Sequence, residues 1–138
     1  MTNEATEIRD LIPHESPMIL LDRIHDISAG SVRCSTCLLN HPYIKSGETI
    51  DSAWSLEIAS QACAAIIGKY YAERGYREGR LIKVSQWDLR QATLPEDGEI
   101  FISADLVADS EVGAFIFNAQ LSSGKMLLVE GQLTILAK

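Results

Sequence analysis

Glu57 and Gln61 stand one helical turn apart in the segment SLEIASQACAAIIG, residues 55–68, which is otherwise built of small and apolar side chains. At helical spacing, positions 57, 61, 64, 65 and 68 share a face. They carry Glu57, Gln61, Ala64, Ala65 and Gly68, with Ser60 at the border. The stripe therefore begins with an acid, passes a carboxamide and ends in residues with little or no side chain. A carboxyl heading a small-residue channel suits a slender ligand whose reactive end meets Glu57. A carboxyl held against an apolar wall can serve as a proton donor. In a first helical turn an acid is also favoured by the macrodipole alone.

Proton transfer needs a second group. The chain has three histidines. His25 falls in an ordinary strand-to-turn stretch and reads as a surface residue. His41 precedes Pro42 in the stretch leading to the helix. His14 lies in LIPHESPM, between two prolines that stiffen the chain around it. His14 is the first candidate base and His41 the second. No G-x-S-x-G, phosphate-binding loop, H-E-x-x-H or G-x-G-x-x-G occurs, so no common hydrolase or nucleotide motif competes. Of Cys34, Cys37 and Cys63, the first two have C-x-x-C spacing within an expected strand. Positions i and i+3 of a strand face opposite ways, so no metal site is expected, and no cofactor is implied.

These residues need a scaffold. With 138 residues, 46% of them hydrophobic, the chain suits one domain with a substantial core. Asp51 or Ser52 can cap a helix and Gly75 can end it, which predicts a helix over residues 53–74. That is about 22 residues, or roughly 33 Å. It is apolar nearly all round and must be covered on most sides. Residues 17–27 and 32–39 read as a hairpin before it. Residues 80–90, 99–108, 112–122 and 126–136 read as strands after it. Their alternation has period two, and turn-rich connections join the later ones. About six antiparallel strands and one apolar helix make an α+β domain over residues 1–138. The simplest arrangement curls the sheet around the helix, which is the hotdog fold.

Charge and hydropathy narrow the partners. A net charge of -7 disfavours nonspecific nucleic-acid binding. The longest purely apolar run, residues 62–67, falls far short of the roughly 20 residues of a membrane span. The polar, acidic start MTNEATEIRD does not read as a signal peptide, and a cytoplasmic location is the default expectation. Lys69, Arg74, Arg77, Arg80, Lys83 and Arg90 form a local basic group that could steer an acidic partner.

Two segments carry a family resemblance. LIPHESPMILLDRI resembles the opening L-P-H-x-x-P-[FM]-L-L-x-D-x-[VI] of the hotdog 3-hydroxyacyl-(acyl carrier protein) dehydratases of fatty acid synthesis. The match runs through Ile12 (for Leu), Pro13, His14, Pro17, Met18, Asp22 and Ile24. Leu56, Glu57, Ser60 and Gln61 match their helix motif L-E-x-x-[AS]-Q. The Pro-His-x-x-Pro-Met form looks most like the branch associated with aryl polyene synthesis. The chain departs in one place. The family carries its catalytic histidine in a G-H-F-P loop before the helix. Here Asn40, Pro42 and Tyr43 match the flank of that loop, but the histidine has no counterpart. An Asp followed five residues later by His, the hydratase pattern of a related hotdog branch, is also absent.

The resemblance implies dehydration of a 3-hydroxyacyl thioester, carried on acyl carrier protein or CoA, to a trans-2-enoyl thioester. It implies Glu57 as a catalytic acid and leaves the base open between His14 and His41. Gln61 would orient Glu57 or hold a water, while Ala64, Ala65 and Gly68 line the acyl channel. Trp54 and His41 are also expected to contact the substrate, and donors at the helix N-terminus would hold the thioester oxygen. The resemblance further implies a homodimer or higher oligomer with the site shared between chains; Trp54, Tyr70 and Tyr71 read either as interface aromatics or as core residues. Two rival readings stand beside it: an acyl-CoA thioesterase on the same fold, and a non-catalytic acyl-binding or partner subunit of another dehydratase.

Overall fold

Ile100, Ile102 and Ala104 are buried and alternate with the more exposed Phe101, Ser103 and Asp105, so this strand has one face for a core and one for solvent. The same holds for Phe115, Phe117, Ala119 and Leu121 against Ile116, Asn118 and Gln120. In the computed structural model, which describes residues 19–41, 50–76, 79–95 and 98–138, these strands belong to one antiparallel sheet. Its strands are β1 (Arg23–Ile27), β2 (Ser31–Thr36), β4 (Gly79–Leu89), β6 (Ile100–Asp109), β7 (Ala114–Ser123) and β8 (Met126–Ala137). They lie in the order β1-β2-β6-β7-β8-β4. β3 (Ile50–Asp51) and β5 (Thr93–Leu94) form a separate two-stranded ribbon in which Ile50 faces Leu94.

One helix, α1 (Trp54–Tyr70), packs on the inner face of the large sheet against β2, β6, β7 and β8. Ile58, Ala59, Ala62, Cys63, Ala65 and Ile66 are fully buried in that contact. The sheet leaves one stripe of α1 partly uncovered: Glu57, Ser60, Ala64 and Gly68, spaced along a single face.

Several element boundaries differ from the sequence expectation, each for a local reason. Residues 19–22 are not a strand: the Leu20 amide donates to the Gln61 side chain, and Asp22 turns its carboxylate to the Cys37 amide. That second bond also ends β2 at Thr36, ahead of a 3-10 turn at Leu38–Asn40. Cys34 thus sits on the core side of β2, whereas Cys37 lies beyond the strand.

The helix is shorter than 53–74. It stops at Tyr70, and a 3-10 turn, Ala72–Arg74, carries the chain to Gly75. Gly75 has φ 84°, the left-handed conformation that glycine tolerates. The break is fixed by aromatic anchors. Tyr70 and Tyr71 donate their hydroxyls to the carbonyls of Ile27 and Ala29 at 3.1 Å, and Tyr71 meets Phe115 edge-on at 5.0 Å. At the other end neither Asp51 nor Ser52 is the helix cap. Asp51 accepts from the Ala53 amide at 2.8 Å, and the Ser52 hydroxyl donates to the Gln91 carbonyl instead. The ribbon β3–β5, absent from the sequence expectation, is what brings residues 91–94 alongside the start of α1.

β4 is an edge strand with a bulge. Ser85 pairs with Gln132 and Asp88 with Glu130, so Gln86 and Trp87 together oppose Gly131. Gln86 takes φ 54°, and Trp87 lies directly against Gly131. The bulge points the indole at α1, where Trp87 Nε1 donates to Ser55 Oγ at 3.1 Å.

Candidate active site

Glu57 is held in the first turns of α1 with its side chain half-buried. Gln61 Nε2 donates to Glu57 Oε1 at 3.0 Å. The Gln61 side chain is itself fully buried, and its Oε1 accepts the Leu20 amide at 2.7 Å. A backbone N–H can only donate, so that bond settles which end of the carboxamide faces Glu57. The acid therefore receives a donor whose direction is set by the fold.

Ser60 lies one turn beyond Glu57 on the same open stripe. Among the described residues its hydroxyl is the buried side-chain polar atom without a hydrogen-bond partner. A buried polar group left unsatisfied costs about 1–3 kcal/mol, so this hydroxyl calls for a partner or a reason for its place. Ala64 and Gly68 continue the stripe toward the helix C-terminus and are half-buried. Ala65 lies off the stripe at 0% exposure, inside the core. Trp54 is half-buried against the core at the start of α1.

The helix N-terminus offers fewer donors than its sequence suggests. The amides of Ala53, Ser55 and Leu56 already donate to Asp51 Oδ1, the Ser52 carbonyl and the Ala53 carbonyl. The positive end of the helix dipole remains, close to Glu57.

His41 is placed away from open solvent, at 8% exposure. Its Nε2 lies 3.1 Å from Asp22 Oδ1 and 3.1 Å from Thr36 Oγ1. Asp22 Oδ2 accepts the Cys37 amide at 2.6 Å. A carboxylate is acceptor-only, so Nε2 carries the proton and donates to Asp22. Both polar neighbours sit at Nε2, which leaves Nδ1 with the ring's lone pair. His14 lies outside the described residues.

The basic group is partly neutralised. Arg74 pairs with Asp109 at 2.9 Å, and Arg90 pairs with Glu130 and Asp88 at 2.8 and 3.3 Å. Lys69, Arg80 and Lys83 are exposed and make no ion pair among the described residues. Arg77 lies outside them. A trough of about 800 Å³ crosses the outer face of the sheet, lined by Arg33, Asp105, Asn118, Gln120 and Gln132 among others. It contains none of the candidate residues.

Sequence reasoning missed two contributors. Asp22 matched a motif position but showed no sign of pairing with His41. Trp87 sits in an apparently regular strand, and only the bulge turns it toward α1.

The comparisons agree with this architecture. No curated protein matches the chain in sequence. Among solved structures, it is similar to the dehydratase heterocomplex ApeI:P from Xenorhabdus doucetiae, with TM-score 0.83 and 20% identity over 95% of this chain and 90% of that one. It is also similar to Cj0977, a sigma28-regulated virulence protein from Campylobacter jejuni, with TM-score 0.72 and 11% identity over 100% and 92%. A hypothetical thioesterase with coenzyme A from Streptococcus pneumoniae is more distant, at TM-score 0.65 and 11% identity over 84% of each chain. These likenesses place the sheet and helix in the hotdog fold. The family assignment rests on sequence, where the ApeP dehydratase model matches residues 6–138. The chain belongs to the ApeP-like family of hotdog dehydratases.

Proposed function

We propose that the chain acts on a 3-hydroxyacyl thioester, with Glu57 as the acid. A base removes a proton from C2. Glu57 gives a proton to the C3 hydroxyl, water leaves with the C–O electron pair, and the C2–C3 double bond of the trans-2-enoyl thioester forms. The observation that carries this reading is Glu57 itself, half-buried at the head of an uncovered stripe with Gln61 fixing one oxygen. Ala64 and Gly68 leave room for the acyl chain.

The base is taken as His14 before His41, because His41 is buried away from open solvent. The site is shared with a second hotdog chain, either another copy or a second dehydratase subunit. β4 supports this: it is a sheet edge carrying the exposed apolar side chains of Leu81, Ile82, Val84 and Leu89, an arrangement suited to pairing. The related heterocomplex is a dehydratase assembly by its description. The acyl group arrives on acyl carrier protein, whose acidic surface would meet Lys69, Arg80 and Lys83. Aryl polyene synthesis is the pathway suggested by the branch the sequence resembles. The medium is taken as the cytoplasm. No helix among the described residues is long and apolar enough to cross a membrane.

The test is product analysis. The protein, together with any subunit that co-purifies, is incubated with 3-hydroxyacyl carrier protein and with 3-hydroxyacyl-CoA. Loss of one water from the acyl group supports the proposal. Release of free thiol without an enoyl product would identify a thioesterase, and an unchanged substrate would identify a binding or partner role.

A further inference from the structure

The Asp22–His41 pair, with His41 buried and Asp22 half-buried, is not used by the chemistry above, yet Asp22 lies two residues from Leu20, whose amide orients Gln61. We infer that Asp22 and His41 form a clasp that positions Glu57, acting through Leu20 and Gln61. The inference rests on Glu57 being the acid of the reaction.

The connection can be followed bond by bond. His41 ends the 3-10 turn after β2, with its amide donating to the Leu38 carbonyl at 3.1 Å. Its Nε2–H reaches Asp22 Oδ1, and Thr36 Oγ1 lies within 3.1 Å of the same nitrogen. The other Asp22 oxygen takes the Cys37 amide, and the Asp22 amide donates to the Ser35 carbonyl at 2.9 Å. Side chain and backbone together thus fasten residue 22 to the end of β2. Two residues earlier, Leu20 is buried at 1% exposure and gives its amide to Gln61 Oε1. Gln61 gives Nε2 to Glu57. With Leu20 fixed, the carboxamide cannot flip, and the carboxyl keeps one orientation.

The geometry also explains how a partly buried pair is accommodated here. Asp22 retains partial exposure at 27%, whereas His41 does not. A charged or polar pair in that position is stabilising only when its hydrogen bonds are met. Here both carboxylate oxygens and the facing ring nitrogen are met by short bonds. What the arrangement gains is a defined geometry at the segment that contacts Gln61, because a loss of about 1 Å in alignment of a catalytic group can cost up to about a hundredfold in rate.

The test compares two genetic backgrounds. In the otherwise unaltered protein, H41A and D22A are expected to lower kcat on a 3-hydroxyacyl thioester about tenfold, with KM within about threefold of the original. D22N and H41Q are expected to recover kcat to within about threefold, because each keeps a hydrogen bond across the pair. The carboxamide introduced by D22N can donate to Nε2 of His41 in its other tautomer, and the carboxamide introduced by H41Q can donate to Asp22. Combined with E57Q, H41A is expected to cost less than about twofold, because the orientation it protects no longer matters. An equal loss in both backgrounds would show a general structural role and overturn the inference, as would no loss in either. If E57Q alone left kcat intact, the reading of Glu57 would fail instead, and the two failures remain distinct. A readout independent of turnover is hydrogen exchange at the Leu20 amide. It is expected to accelerate at least about tenfold in H41A, or in H41N should H41A not fold, while protection in β7 is kept. Unchanged exchange at Leu20 would likewise overturn the clasp.

Discussion

Replacing Gly131 by alanine tests the bulge that turns Trp87 toward the site. A Cβ built at Gly131 would lie 2.5 Å from Trp87 Cε3, 2.8 Å from Trp87 Cα and 2.9 Å from the Gln86 carbonyl oxygen. Two of those three atoms are backbone, so no rotamer change relieves the overlap. The bulge must shift as a unit, and the Trp87–Ser55 hydrogen bond moves with it. Overpacking of this kind costs about 1–3 kcal/mol, and the rigid neighbours place G131A toward the upper end, at about 2–3 kcal/mol. For a chain of 138 residues each kcal/mol shifts the melting temperature by roughly 3–4 °C, so a drop of roughly 6–12 °C is expected. The companion W87F keeps a ring but removes the N–H, leaving the fully buried Ser55 hydroxyl without that donor. It should cost about 1 kcal/mol. Thermal and urea unfolding of the two variants give both numbers. A G131A protein melting within about 2 °C of the original would refute the close packing at Gly131.

Two further expectations concern titration and docking. Burial pushes the Cys34 thiol up to about 12, and burial, with Cys34 alongside, raises Cys63 well above its ordinary range. Each thiol keeps its proton in the folded state at pH values where the unfolded chain has lost it. Their stabilising contribution is therefore complete below about pH 9 and is lost as pH rises toward about 12. Urea midpoints of the native protein should fall across that interval, and C34A should flatten the decline; a decline unchanged in C34A would contradict the assignment. Reversing Lys69, Arg80 and Lys83 to glutamate should lower kcat/KM on carrier-bound substrate about ten- to a hundredfold and weaken its salt dependence, while leaving the CoA thioester nearly unaffected. Equal rates on carrier-bound substrate would remove these residues from docking.

The fold was largely readable because its signals are local. Alternation in residues 100–106 and 115–121 specifies a two-faced sheet, and the apolar run through α1 demands cover. The motif residues Glu57 and Gln61 were readable for the same reason: their spacing alone sets them one turn apart. The parts that were not readable depend on contacts distant in sequence. Leu20 bonds to a side chain 41 positions away, and that bond keeps residues 19–22 out of the sheet. Asp22 ends β2 from outside it. The β3–β5 ribbon consists of two residues on each side, too short for a periodic pattern. Ala65 shares the helical stripe on spacing alone, but the sheet around α1 buries it while leaving its neighbour Ala64 partly open. The burial of His41 against Asp22 follows from the fold and not from its neighbours in sequence.

Whether Glu57 supplies the proton to the departing hydroxyl is tested most directly by E57Q. A glutamine there has nearly the same shape and can still accept the Gln61 amide, so the fold and the stripe are preserved. Turnover of the 3-hydroxyacyl thioester by E57Q, at an unaltered melting temperature, should fall by about 10²- to 10⁴-fold, the contribution typical of a positioned acid. Turnover by E57Q equal to that of the unaltered protein would contradict Glu57 as the acid.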